Sequence, residues 1–312
     1  LGASNAAASA KMYEPLGAAL RAALGFRLSV SSMVIYSVVK AATRIVPDRA
    51  LLGLAAAQIG AFLRSGQPNL RYLGIRAMGA ALRGGGDTFA GVFAAKPQFQ
   101  MAVVECLESH DDTLRHETLD IRYPMTSPAN AQAIAARLLD ALRRAVGEAA
   151  SEHLRRELVA KIAMIVAAYA PSPRWALETL CAAMEVGRDV CDDSVPEALL
   201  RTLDPRDPSN NTNNSNTNAI LSNNSIDSEY ARFAADWFVA KTAESLAPGA
   251  RGMPAALARV AVFVLGEHGH LAQCGTPAVV QHLLALAEKF HDAPDVVAPL
   301  LGALAKLCAR AK

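Results

Sequence analysis

Apolar residues return along most of this chain at i, i+3, i+4 and i+7, the period of a helix with one buried face. Residues 48–65, "DRALLGLAAAQIGAFLRS", show it plainly, and Asp48, directly after Pro47, is placed to cap the first turn. The same period predicts helices near 11–24, 30–46, 69–83, 97–108, 112–125, 129–146, 152–169, 173–187 and 192–203, and again near 228–245, 254–268, 276–290 and 294–310. Proline, glycine, serine and asparagine punctuate the gaps. No alternating strand pattern bounded by a hairpin signal stands out between them. The expectation is an all-α chain whose short connections favour antiparallel neighbours.

The helical blocks repeat. In "FLRSGQPNLRYLGI", 62–75, and "CLESHDDTLRHETL", 106–119, Leu63 aligns with Leu107, Ser65 with Ser109, Leu70–Arg71 with Leu114–Arg115 and Ile75 with Leu119, always 44 residues apart. A more worn copy, "SEHLRRELV", 151–159, puts Leu154–Arg155 a further 40 residues on. A period near 40 in a helical chain predicts a HEAT or armadillo-like α-solenoid of antiparallel helix pairs. No single pair can bury its apolar face alone, so stacking supplies the core.

One copy carries an unusual load of polar chemistry. "DDTLRHETLDIRY", 111–123, holds acids, a histidine and hydroxyls of the kind a hydrolase uses. The matching turn at 66–69 reads "GQPN" and has none of them. The simpler account is a turn between paired helices. Asp112 is then placed to cap the second helix. Thr113, His116, Asp120 and Tyr123 fall off the stripe made by Leu114, Thr118, Leu119 and Ile121, and so face water or a neighbour.

Residues 209–225, "SNNTNNSNTNAILSNNS", break the pattern with an uncharged, low-complexity tract that is expected to be disordered. Its three N-x-S/T sequons follow from the asparagine content. The tract divides a main solenoid block, 1–205, from a continuation, 228–312, with 206–227 as an insertion in one structure.

Composition narrows the class. Apolar residues make up 52% but aromatics only 5%, so the core is aliphatic and alanine-rich. With 31 basic and 29 acidic residues the net charge is +2, which offers no electrostatic excess for nucleic acid. Cys106, Cys181, Cys191, Cys274 and Cys308 are scattered without CxxC spacing and read as small buried hydrophobes in a reducing compartment. No stretch reaches the length of about 18 apolar residues needed to span a bilayer. No secretory signal is visible, and a chain opening on Leu1 reads as a piece of a longer protein.

Other motifs reduce to structure. "LRGGGDTF", 82–89, lacks the preceding strand and Lys-Ser/Thr of a phosphate loop, and Gly84 reads as a helix C-cap. "GEHGH", 266–270, offers no complete zinc ligand set. Neither a cofactor nor a catalytic or metal centre is expected. Arg143, Arg144, Arg155, Arg156 and Lys161 form a modest basic cluster, a solvated face by default and otherwise a surface for a partner or an anionic membrane.

Several segments together resemble a known family. "NLRYLGIRAMGAAL", 69–82, "QMAVVECLESHDDTLRHETLDIRYPMT", 100–126, "AYAPSPRWALETL", 168–180, and "VFVLGEHGHL", 262–271, are similar, in order, to the trunk of the large adaptins of vesicle-coat adaptor complexes. Phe263 and His268 stand where that family has tryptophan and tyrosine. "KMYEPLGAAL", 11–20, fits the preceding segment. The 106–126 stretch is most similar to the epsilon type of the fourth complex, with the gamma type of the clathrin-associated first complex next. The resemblance implies a non-enzymatic scaffold that assembles with a beta-type adaptin, a medium and a small subunit. It implies recruitment of the whole complex by an Arf-family GTPase to trans-Golgi or endosomal membranes, on the cytoplasmic side, and action without clathrin. An unrelated HEAT scaffold, of nuclear transport or of a phosphatase, is the alternative.

Overall fold

The computed structural model describes residues 6–23, 29–42, 44–45, 48–94, 97–107, 109, 111–122, 126–148, 150–203 and 228–310. The described residues form α-helices and short turns, with no strand among them. The chain divides into two compact units, Leu1–Thr126 and Ser127–Lys312. The expected insertion, 206–227, lies outside the described residues.

The first unit holds α1 (Ala6–Ala23), α2 (Ser29–Ala42), α3 (Arg49–Leu63), α4 (Pro68–Ala94), α5 (Pro97–Leu107) and α6 (Asp112–Arg122). Each helix packs on its sequence neighbour, and α4 also packs on α2 and α6. Asp48 caps α3 as its sequence suggests, its carboxylate accepting from the Leu51 amide at 2.9 Å. Leu51, Leu52, Ala55, Ala56, Ile59, Phe62 and Leu63 then form the buried stripe of that helix. Gln58 sits within this apolar surface because its amide donates to the Leu20 carbonyl at 3.0 Å, tying α3 to α1.

The helix α4 corrects one expectation. It does not stop at Gly84 but runs through the three glycines to Ala94. Each glycine costs about 1 kcal/mol relative to alanine in a helix. The far end is anchored by Phe93, which is buried and meets Phe99 edge-on with centroids 4.9 Å apart. Tertiary packing thus overrides a local stop signal.

The second unit holds α7 (Ala131–Gly147), α8 (Glu152–Tyr169), α9 (Pro173–Gly187), a 3₁₀ turn (Arg188–Val190), α10 (Ser194–Leu203), α11 (Ser228–Leu246), α12 (Ala255–His268), a second 3₁₀ turn (Gly269–Leu271), α13 (Thr276–Lys289) and α14 (Pro294–Arg310). Ser151 and Ser172 cap α8 and α9 by accepting from Leu154 and Trp175 amides, and Pro173 opens α9 where its missing N–H costs nothing. The helices before and after 204–227 pack directly on each other, α9 on both α11 and α12 and α10 on α12. Tyr230 adds a hydrogen bond from its hydroxyl to the Pro173 carbonyl at 3.2 Å, and Arg174 lies 4.3 Å over the Phe233 ring.

A group of polar contacts joins α12 to α14. Glu267 accepts from Lys306 and, at 3.0 Å, from Arg310, which also donates to the Glu267 carbonyl. Partial burial opposes the carboxylate, but these two cations hold its pKa below the usual value. Burial pushes the Cys106 and Cys191 thiols up to about 11, and Cys181 well above its ordinary value. These three cysteines therefore stay protonated near neutral pH and pack as small hydrophobes, whereas Cys274 and Cys308 are exposed.

Candidate functional site

The polar stretch 111–123 begins a helix, and its geometry is that of its two repeat copies. The amides of Arg71, Arg115 and Arg155 donate to the carbonyls of Gln67, Asp111 and Ser151 at 3.1, 3.0 and 3.2 Å. Ser65 and Ser109 accept from the amides of Gln67 and Asp111, both at 3.2 Å, so the same serine turn recurs 44 residues apart. Ile75 and Leu119, aligned by sequence, are both fully buried. The repeat read from the residues is a repeat of hydrogen bonds.

The acidic residues of this stretch hold structural positions. Asp111, not Asp112, supplies the cap: its Oδ1 accepts from the Thr113 amide at 2.9 Å and more weakly from Leu114 at 3.4 Å. Asp112 is already the first helical residue, one place too late for the role. Arg115, almost fully buried, donates through Nε to the Ser109 carbonyl and closes the turn from inside. Glu117 reaches α4, where it accepts from the Tyr72 hydroxyl at 3.4 Å and lies 3.7 Å from Arg76. Thr118 is buried with its hydroxyl donated to the Leu114 carbonyl at 2.6 Å. Leu114, Leu119 and Ile121 are buried, while Thr113 and Asp120 are exposed and His116 is half-buried. That matches the stripe read from the sequence; Tyr123 lies outside the described residues.

The cap gives a direct test. Asp111→Ala is expected to lower stability by about 0.5–2 kcal/mol, whereas Asp111→Ser, which keeps a capping oxygen, should lose little. Urea midpoints of the two variants measure the difference, and equal midpoints would remove the cap.

A feature that composition did not reveal is a set of reaching arginines. Arg71 pairs with Glu105 at 3.6 Å and Arg155 with Asp189 at 4.0 Å, in each case 34 residues along the chain. Both bury their Nε atoms without a hydrogen-bond partner, whereas Arg115 Nε bonds the Ser109 carbonyl. The repeated Leu-Arg dipeptide carried this signal: the leucine packs on the core, buried at Leu114 and Leu154 and partly buried at Leu70, and the arginine stem lies along it while the head reaches out.

The basic cluster brackets the connection between α7 and α8. Arg143 and Arg144 are exposed near the end of α7, and Arg155 ends the first turn of α8, with Arg156 next to it and Lys161 further along. Its charges are largely answered. Arg143 meets Asp140 at 2.8 Å, Arg156 pairs with Glu152 and Arg155 with Asp189. In "GEHGH", Glu267 is committed to Lys306 and Arg310, so it is not a spare ligand.

Comparison with known proteins agrees with this architecture. The whole chain, residues 1–312, matches the family described as adaptin N terminal region. It is 32% identical over 203 residues to AP-4 complex subunit epsilon-1 of Homo sapiens, a match covering 65% of this chain and 17% of that protein. It is 27% identical over 175 residues to AP-4 complex subunit epsilon of Arabidopsis thaliana, covering 56% of this chain and 18% of that one. It is also 25% identical over 175 residues to AP-1 complex subunit gamma of Dictyostelium discoideum, covering 56% and 18%. The aligned segments thus span less than a fifth of each relative.

Proposed function

The chain belongs to the adaptin N-terminal family, and from that premise we propose that it is part of the trunk of an epsilon-type large subunit in a heterotetrameric vesicle-coat adaptor complex. The observation that carries the reading is the family match over all 312 residues, joined to a repeat whose buried leucines and turn hydrogen bonds recur in register. Such a chain contributes shape and surface. Its polar turn spends Asp111, Arg115 and Glu117 on holding helices, which suits a non-enzymatic scaffold better than acid–base chemistry.

In this reading the partners are a beta-type adaptin, a medium subunit and a small subunit, and the assembled complex meets an Arf-family GTPase on trans-Golgi or endosomal membranes. It sits on the cytoplasmic face as a peripheral coat component and works without clathrin. Arg143, Arg144, Arg155, Arg156 and Lys161 are proposed as a partner-facing surface. The acidic neighbours of Arg143, Arg155 and Arg156 favour a protein partner over an anionic membrane, because they leave little net positive charge. Residues 206–227 are proposed as an insertion within one helical stack, supported by the direct packing of α9 and α10 on the helices that follow it.

A gamma-type role in a clathrin-associated complex is the second reading, favoured by the similarity to the Dictyostelium AP-1 gamma subunit. Affinity capture of the full-length protein from its own cells tests both. Recovery of one beta-type, one medium and one small subunit without clathrin is expected. Stoichiometric clathrin would favour the gamma-type role, and capture of nuclear-transport or phosphatase subunits would reject the adaptor assignment.

A further inference from the structure

Arg188 is the only non-glycine residue with positive φ among the described residues, at φ 46° and ψ −105°. Side chains avoid this region, and a residue held there needs surroundings that over-determine it. Gly187, the natural candidate for such a turn, sits one place early. A Cβ at Gly187 would meet Val159 Cγ2 at 2.9 Å, so glycine is needed for the close pass of α9 over α8 and the strained turn falls to arginine.

The strained backbone sends the guanidinium to the loop 247–253 that joins α11 to α12. Arg188 Nη2 donates to the carbonyls of Arg251 at 3.2 Å and Gly252 at 2.8 Å. The end of α11 is held from a second direction, where Lys289 Nζ donates to the Ser245 carbonyl at 2.7 Å. Lys289 also lies against Gly252, whose φ is 74° and where an added Cβ would come within 3.1 Å of Nζ. This loop forms one wall of a cavity of about 220 Å³. Leu257 supplies its apolar floor, Met253 covers it from the end of the loop, and Lys241, held by Glu185 at 3.0 Å and Glu244 at 3.2 Å, supplies its polar edge.

We propose that residues 247–253 are a strap closing this cavity and that Arg188 is its latch. Two hydrogen bonds from a partly exposed guanidinium to neutral carbonyls hold the strap shut, and the turn at Arg188 aims the guanidinium at them. Each such bond contributes only modestly once water can replace it, so the open form is within reach. Opening carries Met253 away and uncovers Leu257 beside the Lys241 ion pairs, which makes an apolar notch with a charged rim. The inference rests on contacts within the second unit and is independent of the adaptor reading.

Trypsin reads the latch directly, because cleavage after Arg251 requires that the strap leave its seat. Cutting of a transiently opened segment tracks the open population, so Arg188→Ala should speed cleavage after Arg251 by about tenfold or more. Arg188→Lys, which keeps charge but cannot reach both carbonyls together, should fall between parent and alanine variant. Fragments ending at Arg251 are followed by mass spectrometry in the full chain, with circular dichroism confirming helix content. If Arg188→Ala loses helix, Lys289→Ala decides, since it removes the second tether, to the Ser245 carbonyl, without touching α9 or the scissile bond and should also speed the cut. Rates within about twofold of the parent in the folded variants would overturn the latch. So would a parent chain cut at Arg251 as fast as a free peptide of the same sequence.

Discussion

Gly266→Ala is expected to destabilise the second unit, although alanine is the better helix former. Gly266 lies on α12 where α14 crosses, and a Cβ there would come 2.6 Å from Ala303 Cβ and 2.8 Å from Ala303 Cα. The second of these atoms is backbone, so it cannot swing aside. Overpacking of this kind costs about 1–3 kcal/mol, against a gain of about 1 kcal/mol for replacing glycine in a helix. The Glu267 pairs with Lys306 and Arg310 sit beside the contact and would be stretched together with it. Gly53, on α3, is the matched control: it is exposed and an added Cβ meets nothing within 4 Å. Gly53→Ala should gain about 0.4–1 kcal/mol. Thermal midpoints of the two variants should move in opposite directions, by roughly 2–4 °C per kcal/mol in domains of about this size. A rise with Gly266→Ala would mean that α12 and α14 leave room for a methyl group beside Ala303.

The contrast between these glycines shows where sequence reasoning ends. Helix period, antiparallel order and the repeated Leu-Arg register were legible, because a buried stripe leaves a mark in every turn and a 44-residue spacing is visible in the letters. The cap of α3 was legible for the same local reason: Asp48 stands directly before the stripe. The cap of α6 was misplaced by one residue, since "DD" offers two equivalent carboxylates and only the helix start chooses Asp111. The length of α4 is not legible locally, because the decisive contact, Phe93 against Phe99, lies past the glycines. Gly266 and Gly269 resembled a turn or a metal motif, "GEHGH". Their function as small residues at a close crossing depends on Ala303 and on Val279, which is 2.8 Å from a Cβ built at Gly269, and neither lies within the motif. The strained geometry of Arg188 has no local signature at all.

The polar stretch was the sharpest ambiguity in the chain, and its outcome bears on what the protein does. If its value is structural, the buried leucines of α6 matter and the carboxylate–imidazole chemistry does not. Leu119 is fully buried. Removing a leucine side chain from such a site costs roughly 2–5 kcal/mol, and a carboxylate left without a partner adds a desolvation penalty unless it takes up a proton or the helix opens. That total is comparable to much of the stability of an ordinary domain, about 5–15 kcal/mol. Leu119→Asp should therefore undo the local stack and the surface it presents. Asp111→Ser with His116→Gln removes the acid and the base but keeps a capping oxygen and the helix.

Recovery of the beta-type, medium and small subunits with these two variants of the full-length protein is the most direct measurement of the scaffold claim. The expected result is near-parental recovery with the Asp111→Ser/His116→Gln pair and loss of the partners with Leu119→Asp. Full recovery with Leu119→Asp together with loss in the polar pair, or a hydrolytic activity that disappears only in the polar pair, would contradict it.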